Sequence, residues 1–194
     1  MIRKGEWLLI LFNFVYVLPF TVFYLMIKNF EFLWYIVIFL ILFFLVALTL
    51  RRTRFSYSIL WGLSIWGLLH MMGGGVRTRD GVLYAFKLIP IWVTENFYIL
   101  KYDQFVHAYL YFVMVFVIYH LVKGSLGKNH NKWLIYVVVA LASVGIGGLN
   151  EIAEFIAVLT FPETGVGGYY NTAWDIVFNT FGFILSSSCR NFRS

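Results

Sequence analysis

The chain is short of charge, proline and cysteine, and each shortage closes off a class of protein. Only 12% of its 194 residues are charged while 61% are hydrophobic. A soluble domain of that length has too little polar surface to cover the remainder. A single cysteine, Cys189, excludes an intrachain disulfide and leaves the redox compartment open. With three prolines, no Pro-rich or low-complexity linker divides the chain. No basic run is interleaved with base-stacking aromatics, so the net charge of +6 does not point to nucleic acid as a partner. The ending "CRNFRS" is not a prenylation box.

What is present is a series of apolar runs. A helix of about 20 apolar residues matches the hydrocarbon thickness of a bilayer. Six such spans are expected, roughly 7–27, 32–50, 55–72, 103–122, 133–159 and 173–189. They form one all-α integral membrane domain over 1–194, a polytopic helical bundle. The fifth is long enough to tilt or to project, and Pro19 is expected to kink the first. The first run is too long for a signal peptide and lacks a small-residue cleavage site, so it reads as a retained anchor.

Basic residues set the orientation. With the N-terminus cytoplasmic, Arg3, Lys4, Arg51, Arg52, Arg54, Lys123, Lys128, Lys132, Arg190 and Arg193 fall on one side. Lys28, Arg77, Arg79, Lys87 and Lys101 fall on the other. Both termini are therefore expected inside, in a multi-pass protein of the inner or plasma membrane. The segment from Gly73 to Tyr102 is broken by Gly and Pro and reads as an irregular outer cap. Its middle, "GVLYAFKLIPIW", suits a short hairpin or an interfacial segment with Tyr84, Phe86 and Trp92 at headgroup depth. Gly62 and Gly67, and likewise Gly145, Gly147 and Gly148, suit close helix packing.

The few ionisable residues inside the spans fall into one layer. Asp103 and His107 are four apart on one helix face, and Tyr111 continues it. Glu151 and Glu154 come late in the fifth span, beside Asn150. Asp175, Asn179 and Gly182 share a stripe early in the sixth, and His70 lies late in the third. Alternating helix directions place all of them within about 12 Å of the outer boundary at 1.5 Å per residue. A carboxylate at the centre of a membrane helix costs about 2.5–3.5 kcal/mol on insertion scales, less near an interface. Four carboxyls in this layer must therefore face a common interior, pair with something, or hold protons or a cation.

Four stretches, "LLHMMGGG", "YDQFVHAYLY", "NEIAEF" and "DIVFNTFGFIL", resemble in content and order the YjdF-like bacterial inner-membrane family, and more distantly the VanZ-like proteins associated with teicoplanin resistance. The resemblance covers roughly residues 55 to 187. It implies that His70, Tyr102, Asp103, His107, Glu151, Glu154, Asp175, Asn179 and Gly182 are shared polar positions of the family. The Val-Arg-Thr-Arg after the His70 segment and the lack of an Arg before the Tyr-Asp pair depart from the family pattern.

Several readings of the layer stand side by side. One is a structural hydrogen-bond network, although such bonds average only about 0.6 kcal/mol in membrane proteins. A second is a metal site in which His70, His107, Glu151, Glu154 and Asp175 are candidate ligands, a donor set that suits zinc, manganese or iron. No Glu-x-x-His or His-Glu-x-x-His spacing accompanies it. A third is metal-free acid–base chemistry, with His107, Glu151, Glu154, Asp103, Asp175 and Asn179 as the catalytic set. Ser143 has no nucleophile motif around it, and His120 and His130 lie toward the opposite side. Membrane lipids are the expected partners. A lipid-linked or phosphate-bearing headgroup would reach the layer from the outer leaflet, and Arg77, Arg79, Lys87 and Lys101 are candidates to hold it. The favoured function is a lipid- or envelope-directed hydrolase or transferase with an outward-facing pocket. The alternative is a non-enzymatic ion-coupled transporter or ligand-binding membrane protein.

Overall fold

The computed structural model describes residues 4–79, 81–94, 97–127, 131–162 and 164–187. Six helices carry the chain: α1 (Lys4–Met26), α2 (Phe30–Thr53), α3 (Tyr57–Gly75), α4 (Tyr102–Lys123), α5 (Lys132–Thr160) and α6 (Tyr169–Ser187). Small polar residues start three of them. Asn29 accepts from Phe32 N–H, Ser56 from Ile59 N–H, and Asn131 from the N–H groups of Trp133 and Leu134, satisfying donors that a helix start leaves open. Each helix begins and ends within a few residues of an expected span. Cys189, His130, Lys128, Arg190 and Arg193 lie outside the described residues.

Among the described residues, α1, α2, α4 and α5 are long and apolar enough to cross a bilayer by length and composition. The other two helices have 19 residues each: α3 ends in "HMMGGG", and α6 carries Asn171, Asp175 and Asn179. The outer surface of the bundle is greasy. Leu48 on α2 leaves 82% of its surface exposed and Leu141 on α5 67%. Apolar faces of this extent belong against lipid tails rather than water.

Glycines set the tightest approaches. A Cβ on Gly182 would lie 2.2 Å from the Ala108 carbonyl oxygen, so α6 rests directly on the backbone of α4. On Gly67 a Cβ would meet Phe39 and the Tyr16 hydroxyl at 2.4 Å. Gly73 and Gly74 accept the rings of Tyr84 and Phe32 in the same way. The outer segment therefore begins later than expected, because the Gly73–Gly75 triplet completes α3 as a flat seat for aromatic rings. In α5 the packing expectation holds for Gly147 alone. Its missing side chain leaves room for Asn179, whereas Gly145 and Gly148 have no neighbour within 4 Å.

An aromatic cluster of Tyr16, Tyr24, Phe32, Tyr35 and Phe39 with Met71 joins α1, α2 and α3. Between α1 and α3, Asn13 donates to Ser64 Oγ at 2.8 Å and accepts from the Tyr16 hydroxyl at 2.7 Å. Leu9, Phe55, Ile59, Leu60, Val113 and Val117 form a second cluster, and Val115, Ile118, Val139 and Phe183 a third. Both sit on one side of His107 along α4, their first α4 members, Val113 and Val115, about 9 and about 12 Å away at 1.5 Å per residue.

The segment between α3 and α4 is built from hairpins. β1 (Arg77–Thr78) pairs antiparallel with β2 (Gly81–Val82), a 3-10 turn follows at Leu83–Ala85, and β3 (Lys87–Thr94) pairs antiparallel with β4 (Phe97–Lys101). The segment "GVLYAFKLIPIW" is thus shared between the two hairpins, with "GV" ending the smaller and "KLIPIW" in the first strand of the larger. The turn aims the Tyr84 ring inward, against Gly73 and Phe32, and its hydroxyl bonds His70 Nδ1. Phe86 is 39% exposed; the side chain of Trp92 is outside the described set.

Candidate functional site

The sequence places polar residues at the end of α3, the end of α5 and the starts of α4 and α6, and the fold draws these four ends together. His107, on the second turn of α4, is at the centre and is 7% exposed. Its two ring nitrogens have different company. Nδ1 lies 3.1 Å from Asn179 Oδ1 and 3.8 Å from Glu151 Oε1. Nε2 lies 3.7 Å from Asp103 Oδ1 and 3.8 Å from Glu154 Oε1. With Asn179 Oδ1 accepting from Nδ1–H, the Nε2 lone pair is left on the side of Asp103 and Glu154.

Helix spacing accounts for the set. Asp103 precedes His107 by four residues, Glu151 and Glu154 are three apart, and Asp175 and Asn179 are four apart, so each pair shares a helix face. Asn171 ties two of the helices. It donates to Asp103 Oδ2 at 3.1 Å and to Asp175 Oδ2 at 2.7 Å, and accepts from Lys101 Nζ at 3.2 Å. Asn150 donates to Glu154 Oε1 at 2.9 Å. Tyr102 donates its hydroxyl to the Leu69 carbonyl at 3.0 Å, pinning α4 to α3.

Other donors and acceptors are left without hydrogen-bond partners. Among the described residues these include both oxygens of Glu151, Oδ1 of Asp175, Nδ2 of Asn179 and the Tyr111 hydroxyl, all buried. Buried polar atoms cost about 1–3 kcal/mol each when unpaired, more when charged. Two groups of side chains bring one ligand atom each within 4.8 Å of one another: Asp103, His107 and Asp175, and His107, Glu151 and Glu154. His107 belongs to both.

A cavity of about 60 Å³ opens beside the Nε2 face. Asp103, His107, Asn150 and Glu154 line one side, and Phe32, Tyr35, Trp66, His70 and Tyr84 the other. His70 is thus in the cavity wall but outside both ligand groups. Phe32, Tyr35, Trp66 and Tyr84 surround its ring at centroid distances of 5.4 to 5.8 Å, and Tyr84 occupies its Nδ1. Burial, with the nearby charge of Asp103, holds the Tyr84 phenol well above its ordinary pKa, so it is neutral.

The four cap cations are not equivalent. Arg77 and Arg79 are exposed and Lys87 is half-buried, and none of the three lines the cavity. Lys101 reaches the cluster through Asn171. Ser143 is buried and donates to the Val139 carbonyl of its own helix at 2.8 Å. At the other end of α4, His120 Nε2 lies 2.8 Å from the Thr53 carbonyl oxygen.

Among the lining residues are an acid and an amide that the sequence does not single out, Glu31 and Asn171. Glu31, on the first turn of α2, is 7% exposed; its Oε2 accepts from Gly165 N–H at 2.7 Å and its Oε1 lies 3.4 Å from the Tyr35 hydroxyl. It sat one residue before the expected second span and so resembled a headgroup acid. Asn171 sat before the expected sixth span, although its spacing of four from Asp175 extends the stripe already recognised there.

No curated protein and no solved structure matches the chain. Its sequence matches a family over residues 7–193, nearly its whole length. A multi-pass membrane protein by its apolar helices, the chain belongs to the family described as "Predicted membrane protein (DUF2238)".

Proposed function

We propose that all six helices cross the bilayer with both termini cytoplasmic, and that the chamber around His107 opens outward as the working site of a lipid- or envelope-directed hydrolase or group transferase. The proposed resident cofactor is one divalent cation, with zinc, manganese and iron all suited to mixed imidazole and carboxylate donors. The observation that carries this reading is the set of unpaired oxygens at the centre. Both oxygens of Glu151 and Oδ1 of Asp175 are buried without hydrogen bonds, within reach of a shared histidine. A structural network would have paired them.

The chain's own groups then divide the work. Asn179 fixes the His107 tautomer, as partners of metal-bound histidines do. Glu154, held by Asn150 at the cavity wall, accepts a proton from a nucleophile entering the cavity. The metal would act as a Lewis acid toward a phosphoryl or acyl oxygen. Family likeness to YjdF-like and VanZ-like proteins agrees with a shared polar site and adds no reaction. A transporter needs polar stations along a whole path. Below His107 the buried residues of α4 are Leu110, Tyr111, Val113, Val115, Val117 and Ile118, which favours a closed pocket.

Metal analysis of the purified full chain tests the reading. About one divalent ion per chain is expected for the wild type, with near-complete loss in His107→Ala and a clear reduction in Glu151→Gln. Negligible metal in the wild type would remove the metal from the proposal. Proton or cation flux in proteoliposomes, lost with the same substitutions, would replace the enzyme reading with a transporter.

A further inference from the structure

We infer that the cavity takes the primary ammonium end of a zwitterionic, phosphoethanolamine-type headgroup, whose phosphate rests on the basic rim above it. The inference rests on the proposed outward-facing chamber and names the ligand class of that site.

Charge is the first argument. Glu31, Asp103 and Glu154 line the cavity, while Glu151 and Asp175 stand close behind. With His107 neutral as a ligand, one divalent ion and Lys101 supply three positive charges to a site that holds five carboxyl groups. No Lys or Arg is among the lining residues. An anionic group would meet carboxylates on entering, whereas a cation is drawn in.

The walls and the size narrow the cation. Phe32, Tyr35 and Trp66 line the same cavity, a surface that attracts an ammonium through ring quadrupoles. A cavity of about 60 Å³ has room for an ammonium and a methylene or two. A trimethylammonium group has no N–H to offer the carboxylates. Glu31 is the acid best placed to receive it. The Gly165 N–H and the Tyr35 hydroxyl hold its two oxygens at the wall, and each oxygen has a second lone pair for an N–H donor.

The rim supplies the other half. Lys87 and Lys101 are direct cross-strand partners, which sets two amine-bearing residues side by side on the larger hairpin, a pair that can donate to one phosphate. Lys101 also touches Asn171, which lines the cavity. On the smaller hairpin, exposed Arg77 pairs with Val82, another lining residue. Acid below and base above match a headgroup that carries ammonium and phosphate a few bonds apart.

The test uses the full chain purified in detergent and amine-free buffer. Native mass spectrometry compares retention of phosphatidylethanolamine, phosphatidylcholine and phosphatidylglycerol, and calorimetry compares O-phosphoethanolamine, ethanolamine and inorganic phosphate. Retention of phosphatidylethanolamine over the other two lipids is expected, weakened about tenfold or more by Glu31→Gln. Arg77→Ala, at an exposed site, should weaken O-phosphoethanolamine and leave ethanolamine unchanged. Binding of the diacyl lipid alone would assign the headgroup to the membrane, and equal binding of O-phosphoethanolamine to a free source. Phosphatidylglycerol or phosphate bound as well as the amines, or an unchanged preference in Glu31→Gln, overturns the inference. Metal content measured on the same samples separates the two proposals. Metal without amine preference sinks this one alone, and amine preference without metal sinks only the cofactor.

Discussion

At the scale of single residues, His107 is defined by what faces each nitrogen. Asn179 is fully in the interior, 1% exposed, and its Oδ1 is 3.1 Å from Nδ1. Removing that acceptor lets the imidazole choose the other tautomer and turn. Asn179→Ala is therefore expected to lower metal affinity about 10–100-fold, the range for lost outer partners of a ligand, with the helical circular dichroism unchanged. Asn179→Asp keeps an oxygen and should retain most of the affinity. Competition against a chelator of known strength measures both, and equal affinities for wild type and Asn179→Ala would deny Asn179 a positioning role. Ser143 provides the contrast. Its hydroxyl is bonded to Val139 within α5, so Ser143→Ala should leave any hydrolytic or transfer activity intact; loss of turnover would make it a candidate nucleophile after all.

At the scale of elements, α4 and α6 are held close by an absence. A methyl at position 182 would meet the Ala108 carbonyl at 2.2 Å and the Phe112 nitrogen at 3.0 Å, and backbone cannot swing aside as a side-chain tip can. Gly182→Ala is expected to cost about 1–3 kcal/mol as overpacking, lowering the thermal midpoint by about 2–4 °C per kcal/mol for a chain of this size. Gly148→Ala meets nothing within 4 Å and should be neutral, or up to about 1 kcal/mol stabilising through helix propensity. Similar midpoints for the two variants would mean that α6 does not rest on α4 as described. Much of this level was legible in the sequence. Apolar runs ending in Arg51, Arg52, Lys123 or Lys132 mark helix ends because charge does not follow them into lipid, and spacings of three and four fix shared faces. Contacts between distant segments were not legible. Nothing near Tyr84 announces His70 as its partner, and "GGG" reads as a helix breaker until the rings of Tyr84 and Phe32 are seen lying on it. Glu31 and Asn171 were missed for a related reason. Each sits where a helix begins a few residues earlier than hydropathy alone suggests.

For the whole molecule, the question is which end of the bundle faces out. The chamber, the hairpins between α3 and α4, and the α5–α6 connection that touches Glu31 all gather at one end. Basic residues near the α2–α3 and α4–α5 connections gather at the other. If the positive-inside bias governs insertion, the chamber end is extracytoplasmic despite the cations of its hairpins. The acids beneath them also explain those exceptions, since carboxylates in a shared chamber need positive neighbours wherever they are. Single cysteines in a Cys189→Ser background report this directly. A thiol at the exposed Arg79 position should react with a membrane-impermeant maleimide in intact cells. A thiol at Leu126, between α4 and α5, should react only after the membrane is opened. The reverse pattern would place the chamber at the cytoplasmic face, where an inner-leaflet headgroup would be its ligand. Reaction of both from outside would mean that α4 does not cross, and would break the six-span topology at the helix carrying Asp103 and His107.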